Sequence, residues 1–207
     1  EQEGKRHSEL DALQSQINPH FLYNTLDSVI WMVESERYQE AIAMVTSLAN
    51  LFRISLSKGK NIITVEDELK HAQNYLDIQK VRYKNKFDVI MNIQPEILHC
   101  ATIKLILQPL IENAIYYGVE CLMDEGEITI KGYIKEEDLY LEVIDNGVGI
   151  PDENIGLLLT DDTRVRRKGS SIGLRNINER VELYFGKEYG VEIESELDEG
   201  TTIRIHM

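Results

Sequence analysis

Cysteine is nearly absent from this chain: Cys100 and Cys121 are the two residues of that type among 207. Two thiols cannot build a disulfide framework and are too few for a thiolate metal cage, so both read as reduced thiols in keeping with the cytoplasm. Long apolar runs are missing as well. No stretch of about 18 apolar residues occurs, and no signal-peptide pattern opens the sequence, so no segment here is expected to span a bilayer. Positive charge is scarce, with Lys and Arg numbering 22 against 36 Asp and Glu, a net charge of −14. Nucleic-acid affinity rests on cations that neutralise phosphates, which argues against a nucleic-acid partner and against a surface held to anionic lipid. The acid is spread along the chain rather than gathered in a tail, so its plain role is solubility. A phosphate loop of the form GxxxxGK[ST] is also lacking.

What the chain does hold is an ordinary globular balance, with 43% hydrophobic and 28% charged residues, enough for one large domain or two small ones. The polar opening from Glu1 to Glu9 reads as the continuation of a longer helix with further sequence upstream. Residues 9–34 read as helix. Leu10, Leu13, Ile17, His20, Asn24, Asp27 and Trp31 recur along one stripe, and Phe21, Leu22, Leu26, Val29, Ile30 and Val33 widen its apolar surface. Pro19 should kink this helix, because it removes one backbone hydrogen bond. Residues 38–57 form a second amphipathic helix with Ala41, Met44, Val45, Leu48, Leu51, Phe52 and Ser55 on one face. Two helices cannot bury so much apolar surface alone, and a homodimer that closes a four-helix bundle is the simplest solution. The turn-rich stretch from Ser57 to Asn61 then divides the chain into a helical unit, 1–60, and a second unit, 61–207.

The second unit alternates strands and helices. Glu66–Arg82 reads as helix and Phe87–Ile93 as strand. Thr102–Tyr117 reads as one helix, with Pro109 either kinking it or lying near its true start. Glu127–Ile134 and Leu139–Asp145 are adjacent strands, Ile172–Phe185 is a helix, and Val191–Ser195 with Thr202–His206 make a hairpin through Glu199–Gly200. Antiparallel strands with helices gathered on one face give an α+β sandwich.

Three segments carry chemistry. In Asp145-Asn146-Gly147-Val148-Gly149-Ile150-Pro151, strand parity puts Asp145 on the same face as Leu139, Leu141 and Val143. A carboxylate facing a core is costly without a donor, and the exocyclic amine of a bound adenine could supply one. Gly147 and Gly149 let the backbone turn sharply beside a ligand. The plainer reading is a strand that ends in a glycine turn capped by an Asp. In Leu107–Ala114, Glu112 and Asn113 interrupt an otherwise apolar helix. The Asn113 amide points inward or at a ligand, and its oxygen suits Mg²⁺; a hydrogen-bonded core Asn is the alternative. In Gly169–Leu174 a helix opens behind the basic cluster Arg164, Arg166, Arg167 and Lys168, an arrangement that favours phosphate, or else a solvated loop with a helix cap. Residues 150–171 read as a mobile lid.

These three segments in this order resemble the N box and the two glycine boxes of the GHKL ATPase and kinase superfamily. The resemblance implies an ATP-binding sandwich of the Bergerat type with a mixed, mainly antiparallel sheet over 61–207. It implies that Asn113 holds Mg²⁺, that Asp145 binds the adenine amine, that Gly147, Gly149 and Gly173 shape pocket and lid, that Thr201 supports the carboxylate, and that Tyr117 and Leu174 join them in binding the nucleotide. Ser171 departs from the pattern, where Gly is common. Hydrolytic members carry a Glu four residues before the Mg²⁺-binding Asn; that position is Pro109 here, which favours transfer to a protein acceptor.

The acceptor expected is His20. Gln14 to Ser28, QSQINPHFLYNTLDS, resembles the phosphoacceptor segment of LytS/YesM-type sensor histidine kinases, and the likeness continues through Leu51-Phe52-Arg53 and Glu66–Arg82. It implies autophosphorylation of His20 and transfer to an Asp of a response regulator, in a dimer whose parent protein is anchored in the membrane with this part inside the cell. Neutral imidazole is a fitting nucleophile near neutral pH. Phe21 stands where many histidine kinases have an acid, so the group that orients the ring is open among Asn24 on the same face, Asp27 two turns on, and Glu112 from the second unit. A dimeric ATP-binding scaffold without kinase activity and a GHKL-type ATPase are the competing readings.

Overall fold

The computed structural model describes residues 19–55, 61–122, 125–158 and 170–207. Helix α1 (Pro19–Glu34) and helix α2 (Tyr38–Ser55) form a hairpin whose turn passes through Glu36 at φ +60°. Phe21, Thr25 and Met32 of α1 are buried, as are Ala41, Met44, Leu48, Leu51 and Ser55 of α2. Tyr23, Leu26, Ile30, Trp31 and Val33 stay exposed on α1, and Tyr38, Ile42 and Val45 on α2. Val45 therefore leaves the buried face it was expected to share. Pro19 is the first described residue of α1; the expected helix over 9–18, the Glu1–Glu9 stretch and the turn in which a kink at Pro19 would show lie outside the described residues.

Helix α3 (Val65–Arg82) starts at Thr64, whose Oγ1 accepts the Asp67 N–H at 3.1 Å. Glu66, Asp67 and Glu68 fill its first turn and Lys80 and Arg82 its last, each sign matched to the helix dipole. Its buried stripe holds Val65, Glu68, Ala72, Tyr75 and Gln79. Before it runs β1 (Ile62–Thr64), which pairs antiparallel with β3 (Ala101–Ile103).

This ribbon corrects the expectation of one helix over 102–117. Thr102 and Ile103 are strand, Leu105 sits at φ +61°, and helix α4 begins at Leu107. Tertiary pairing overrides the apolar run, which has no period of its own to mark strand from helix. Pro109 falls in the first turn of α4 (Leu107–Asn113), where a proline costs no helical bond. The chain then widens into a π turn (Ala114–Gly118) and tightens into a 3₁₀ turn (Val119–Cys121).

The sheet has five strands in the order β2 (Phe87–Ile93), β4 (Gly126–Lys135), β5 (Asp138–Asp145), β7 (Gly200–His206), β6 (Gly190–Glu196). β2 runs parallel to β4 and every other pair is antiparallel, so the sheet is mixed and mainly antiparallel. Alternate residues Ile128 and Ile130, Leu141 and Val143, and Ile203 and Ile205 join Leu110, Ile111 and Ile115 of α4 in one apolar core. Helix α6 (Ser170–Phe185) adds Leu174, Ile177 and Val181 to it. A short helix α5 (Asp152–Leu158) occupies part of the expected lid; Arg164, Arg166, Arg167, Lys168 and Gly169 lie outside the described residues.

One buried carboxylate fixes where α4 starts. Glu68 of α3 is fully buried and accepts the backbone N–H groups of Leu105, Ile106 and Leu107 at 2.8, 2.8 and 2.9 Å. α4 has no side-chain cap of its own, so Glu68 supplies it from a neighbouring helix. Burial raises its pKa against those three hydrogen bonds, and the Arg180 guanidinium acts in the opposite direction to burial. Removing the acceptor strands three buried donors. Glu68→Ala is expected to cost about 3 kcal/mol or more in urea unfolding, and Glu68→Gln, which keeps one acceptor oxygen, clearly less; equal losses would contradict this role.

Candidate functional site

Three backbone features converge on one cleft of about 410 Å³. The end of β5 supplies Asp145, the π turn after α4 supplies Tyr117 and Gly118, and the glycine segment supplies Val148, Gly149, Ile150 and Pro151. Asn113, Cys121, Asn154, Leu158, Thr201 and Ile203 complete the lining. Asn113, Tyr117, Asp145, Gly149 and Thr201, named from sequence, are thus brought together.

Asp145 is 5% exposed and stands opposite Thr201 in the β5–β7 register. Its carboxylate accepts the Gly147 N–H at 2.9 Å and the backbone N–H of Thr201. Burial pushes its pKa up to about 6, against the pull of those two hydrogen bonds. Glycine is required around it. A Cβ on Gly118 would lie 2.5 Å from Asp145 Oδ1, and one on Gly147 would lie 2.2 Å from Gly118 Cα. The two glycines let the turn and the strand end close to contact; Gly118 lines the cleft, and Gly147 is not among the described residues that do. Gly118 was missed in the sequence reading, although it directly follows Tyr117. Asn146 holds the strand end from outside, its Oδ1 accepting the Glu127 N–H at 2.7 Å.

Asn113 is 9% exposed, and its amide nitrogen donates to Pro109 O at 2.7 Å. That bond uses one of the two amide hydrogens and anchors the group, and Oδ1 is its oxygen suited to a cation. Among the described residues no three His, Cys, Asp or Glu side chains converge as a metal cage. Glu112, next in sequence, turns away from the cleft: it accepts Gln108 Nε2 at 2.8 Å and bonds Tyr75, and burial raises its pKa. Gly173 and Leu174 are not among the described residues that line the cleft. Leu174 is fully buried, and Gly173 lets α6 approach α4, since a Cβ there would come within 3.3 Å of Pro109.

His20 is exposed on α1, with Asn24 Nδ2 at 3.1 Å from its Nδ1 and 3.2 Å from its Nε2. Of the three candidates for orienting the ring, Asn24 is the one in contact. The next residue, Phe21, stacks on Tyr75 with ring centroids 5.2 Å apart, and Arg82 lies 5.8 Å from its ring. The Tyr75 hydroxyl accepts Gln79 Nε2 at 2.5 Å and meets Glu112. A continuous path of contacts therefore joins the residue after His20 to the helix that bears Asn113.

Residues 8–87 match the family described as histidine kinase, and residues 100–207 match the family described as histidine kinase-, DNA gyrase B- and HSP90-like ATPase. Sensor histidine kinase YesM of Bacillus subtilis is 39% identical over 97% of this chain, and sensor histidine kinase BtsS of Escherichia coli is 30% identical over 97%. The chain spans about one third of the length of each, 33%. The uncharacterised protein YwpD of Bacillus subtilis is 36% identical over 94% of this chain and 68% of its own length. Among solved structures, the histidine kinase domain of the blue-light activated kinase EL346 of Erythrobacter litoralis has a TM-score of 0.53 at 14% identity, over 96% of this chain and 92% of that one. The nucleotide-free catalytic domain of histidine kinase ThkA has 0.55 at 15% identity, over 70% and 93%. Both share the fold.

The buried carboxyl has a measurable consequence. Asp145 stays protonated in the fold while the unfolded chain has already ionised, so its stabilising contribution is present at low pH and is lost as pH rises from about 4 to about 6. His71 opposes it. Burial, with Lys104 nearby, lowers its pKa to about 4, so stability falls as pH drops from 6.5 to about 4. The two trends offset each other in the native protein. Asp145→Asn removes one, so this variant should gain on the native protein by up to roughly 3 kcal/mol as pH rises from 4 to 6.5, with a constant gap above. Urea unfolding across that range checks it; a gap that does not move with pH contradicts it.

Proposed function

Because this chain belongs to the histidine kinase family, we propose that it is the core in which an adenine nucleotide bound at the Asp145 cleft phosphorylates His20, for transfer to an aspartate of a response regulator. The observation that carries this reading is the cleft itself. A buried acceptor carboxylate, the glycines Gly118 and Gly149 and the Asn113 amide line it together, as an adenine ring and an oxygen-seeking cation require. The exocyclic amine of adenine donates to ionised Asp145 and replaces the solvation that burial removed. Tyr117 flanks the base, and Gly147 and Gly149 keep the backbone close to it.

Asn113 Oδ1 would hold Mg²⁺, which would supply charge neutralisation for the transferred group. An unprotonated ring nitrogen of His20 attacks the terminal phosphorus. A nitrogen–phosphorus bond forms as the bond to the departing diphosphate oxygen breaks. Asn24 holds the ring through this step. The division of labour follows the chain: 1–60 as phosphoacceptor and dimerisation unit, 61–207 as nucleotide-binding unit. The exposed apolar residues of α1 and α2 are the surface a second copy would cover. No helix among the described residues is long and apolar enough to cross a membrane, and we assign the anchor to other parts of the parent protein, with this core on the cytoplasmic side.

Incubation with ATP labelled on its terminal phosphate and Mg²⁺ is expected to yield an acid-labile, base-stable adduct. His20→Gln should abolish the adduct and leave nucleotide affinity within about twofold, because His20 is not among the residues lining the cleft. An adduct that persists in His20→Gln overturns the assignment. Asp145→Asn should weaken ATP binding by roughly 10- to 100-fold, the worth of a hydrogen bond to a charged group, and unchanged affinity by calorimetry would contradict it.

A further inference from the structure

We propose that Ser195 is a positioning residue for base recognition, which acts by fixing Thr201 as a pure hydrogen-bond acceptor beside Asp145. The inference rests on the reading of the cleft as an adenine site. Ser195 lies on β6 opposite Thr201 on β7, and Thr201 in turn lies opposite Asp145 on β5. One hydroxyl serves three partners. Ser195 Oγ accepts the Ile150 N–H at 2.8 Å, donates to Gly200 O at 2.8 Å, and lies 2.8 Å from Thr201 Oγ1.

Proton counting decides the direction of the third bond. A serine hydroxyl has a single hydrogen, and a carbonyl oxygen has none, so the Ser195 hydrogen goes to Gly200 O. The contact with Thr201 must then use the Thr201 hydrogen. That hydrogen points at β6 and away from the cleft, and the lone pairs of Thr201 Oγ1 are what remain for a ligand. The floor of the site thus presents acceptors alone: the Asp145 carboxylate and the Thr201 hydroxyl oxygen. A ligand edge with an exocyclic amine brings two hydrogens to this pair, directly or through a water. An edge with an oxo group at the same position sets acceptor against acceptor.

The same serine also fixes the opposite wall. Ile150 belongs to the glycine segment that lines the cleft, and the β6–β7 turn clasps that segment a second time, with the Asp198 N–H on Val148 O at 3.0 Å. Gly149, at φ +70°, lies so close to β6 that a Cβ would stand 2.1 Å from Glu196 O. Ser195 therefore joins the hydroxyl that reads the base to the backbone that covers it.

The test compares ATP with inosine triphosphate, which carries an oxo group in place of the exocyclic amine. Calorimetry gives Kd for both, and His20 adduct formation gives KM and kcat. Ser195→Ala frees the Thr201 hydrogen to turn into the cleft. ATP should bind about tenfold more weakly, and the ATP preference over inosine triphosphate should narrow about tenfold, with kcat at saturating ATP within about twofold. Ser195→Thr, which keeps the hydroxyl, should restore the preference. If Ser195→Ala lowers both affinities equally and leaves the preference intact, Ser195 is a structural residue only and the proposal fails. Thr201→Val provides the independent check should Ser195→Ala not fold. It should weaken ATP while leaving inosine triphosphate within about twofold, and an unchanged preference overturns the proposal. A native protein that binds neither nucleotide overturns the adenine reading on which the proposal stands, a result distinct from intact binding without a change in preference.

Discussion

A carboxylate at the buried end of a central strand must find donors, and the neighbourhood of Asp145 follows from that requirement. Two backbone N–H groups reach it, from Gly147 and Thr201, and burial still drives its pKa up to about 6. The protein's own donors are therefore too few to hold the charge comfortably. What surrounds the group is shaped to admit something else. Gly118 and Gly147 pack without side chains, the glycine segment bends back over the cleft, and β6 with β7 clasps it through Ser195 and Asp198. Gly118 and Gly147 lie so close to the carboxylate that a Cβ on either would collide with it.

A second buried carboxylate, Glu68, ties this site to the rest of the chain. It caps the start of α4 from α3 and so fixes the helix that presents Asn113. α3 also receives α1, through the stack of Phe21 on Tyr75, and Tyr75 meets Glu112 one residue before Asn113. One helix thus bears on both the histidine-carrying hairpin and the cleft. Polar side chains in its apolar stripe, Glu68 and Gln79, are the contacts that fix both ends of that link.

Much of this was legible in the residues. Strand parity placed Asp145 on the buried face beside Leu141 and Val143, and the polar pair Glu112–Asn113 stood out on an apolar helix. The Asn24 contact with His20 followed from helical spacing. Other features were not legible, for definite reasons. The β1–β3 ribbon pairs two three-residue strands distant in sequence, and local pattern cannot reveal a partner. Pro151 before Asp152 and Glu153 was a start signal for α5 that the lid reading absorbed. Glu68 and Gln79 share the spacing of Val65, Ala72 and Tyr75, a signal of burial present in the sequence and unused. Ser195 gave no signal: an ordinary strand serine acquires its three partners through strand register alone.

The central claim is that the Asp145 carboxylate is reserved for a donor on a bound adenine nucleotide. Carbon-13 NMR titration of the Asp145 carboxyl, with and without saturating nucleotide, tests it most directly. The account predicts a pKa near 6 in the free protein, and a fall by at least about one unit when the exocyclic amine binds the ionised form. A carboxyl that titrates at the same pH in both states would mean that the nucleotide does not touch Asp145, and would contradict the account.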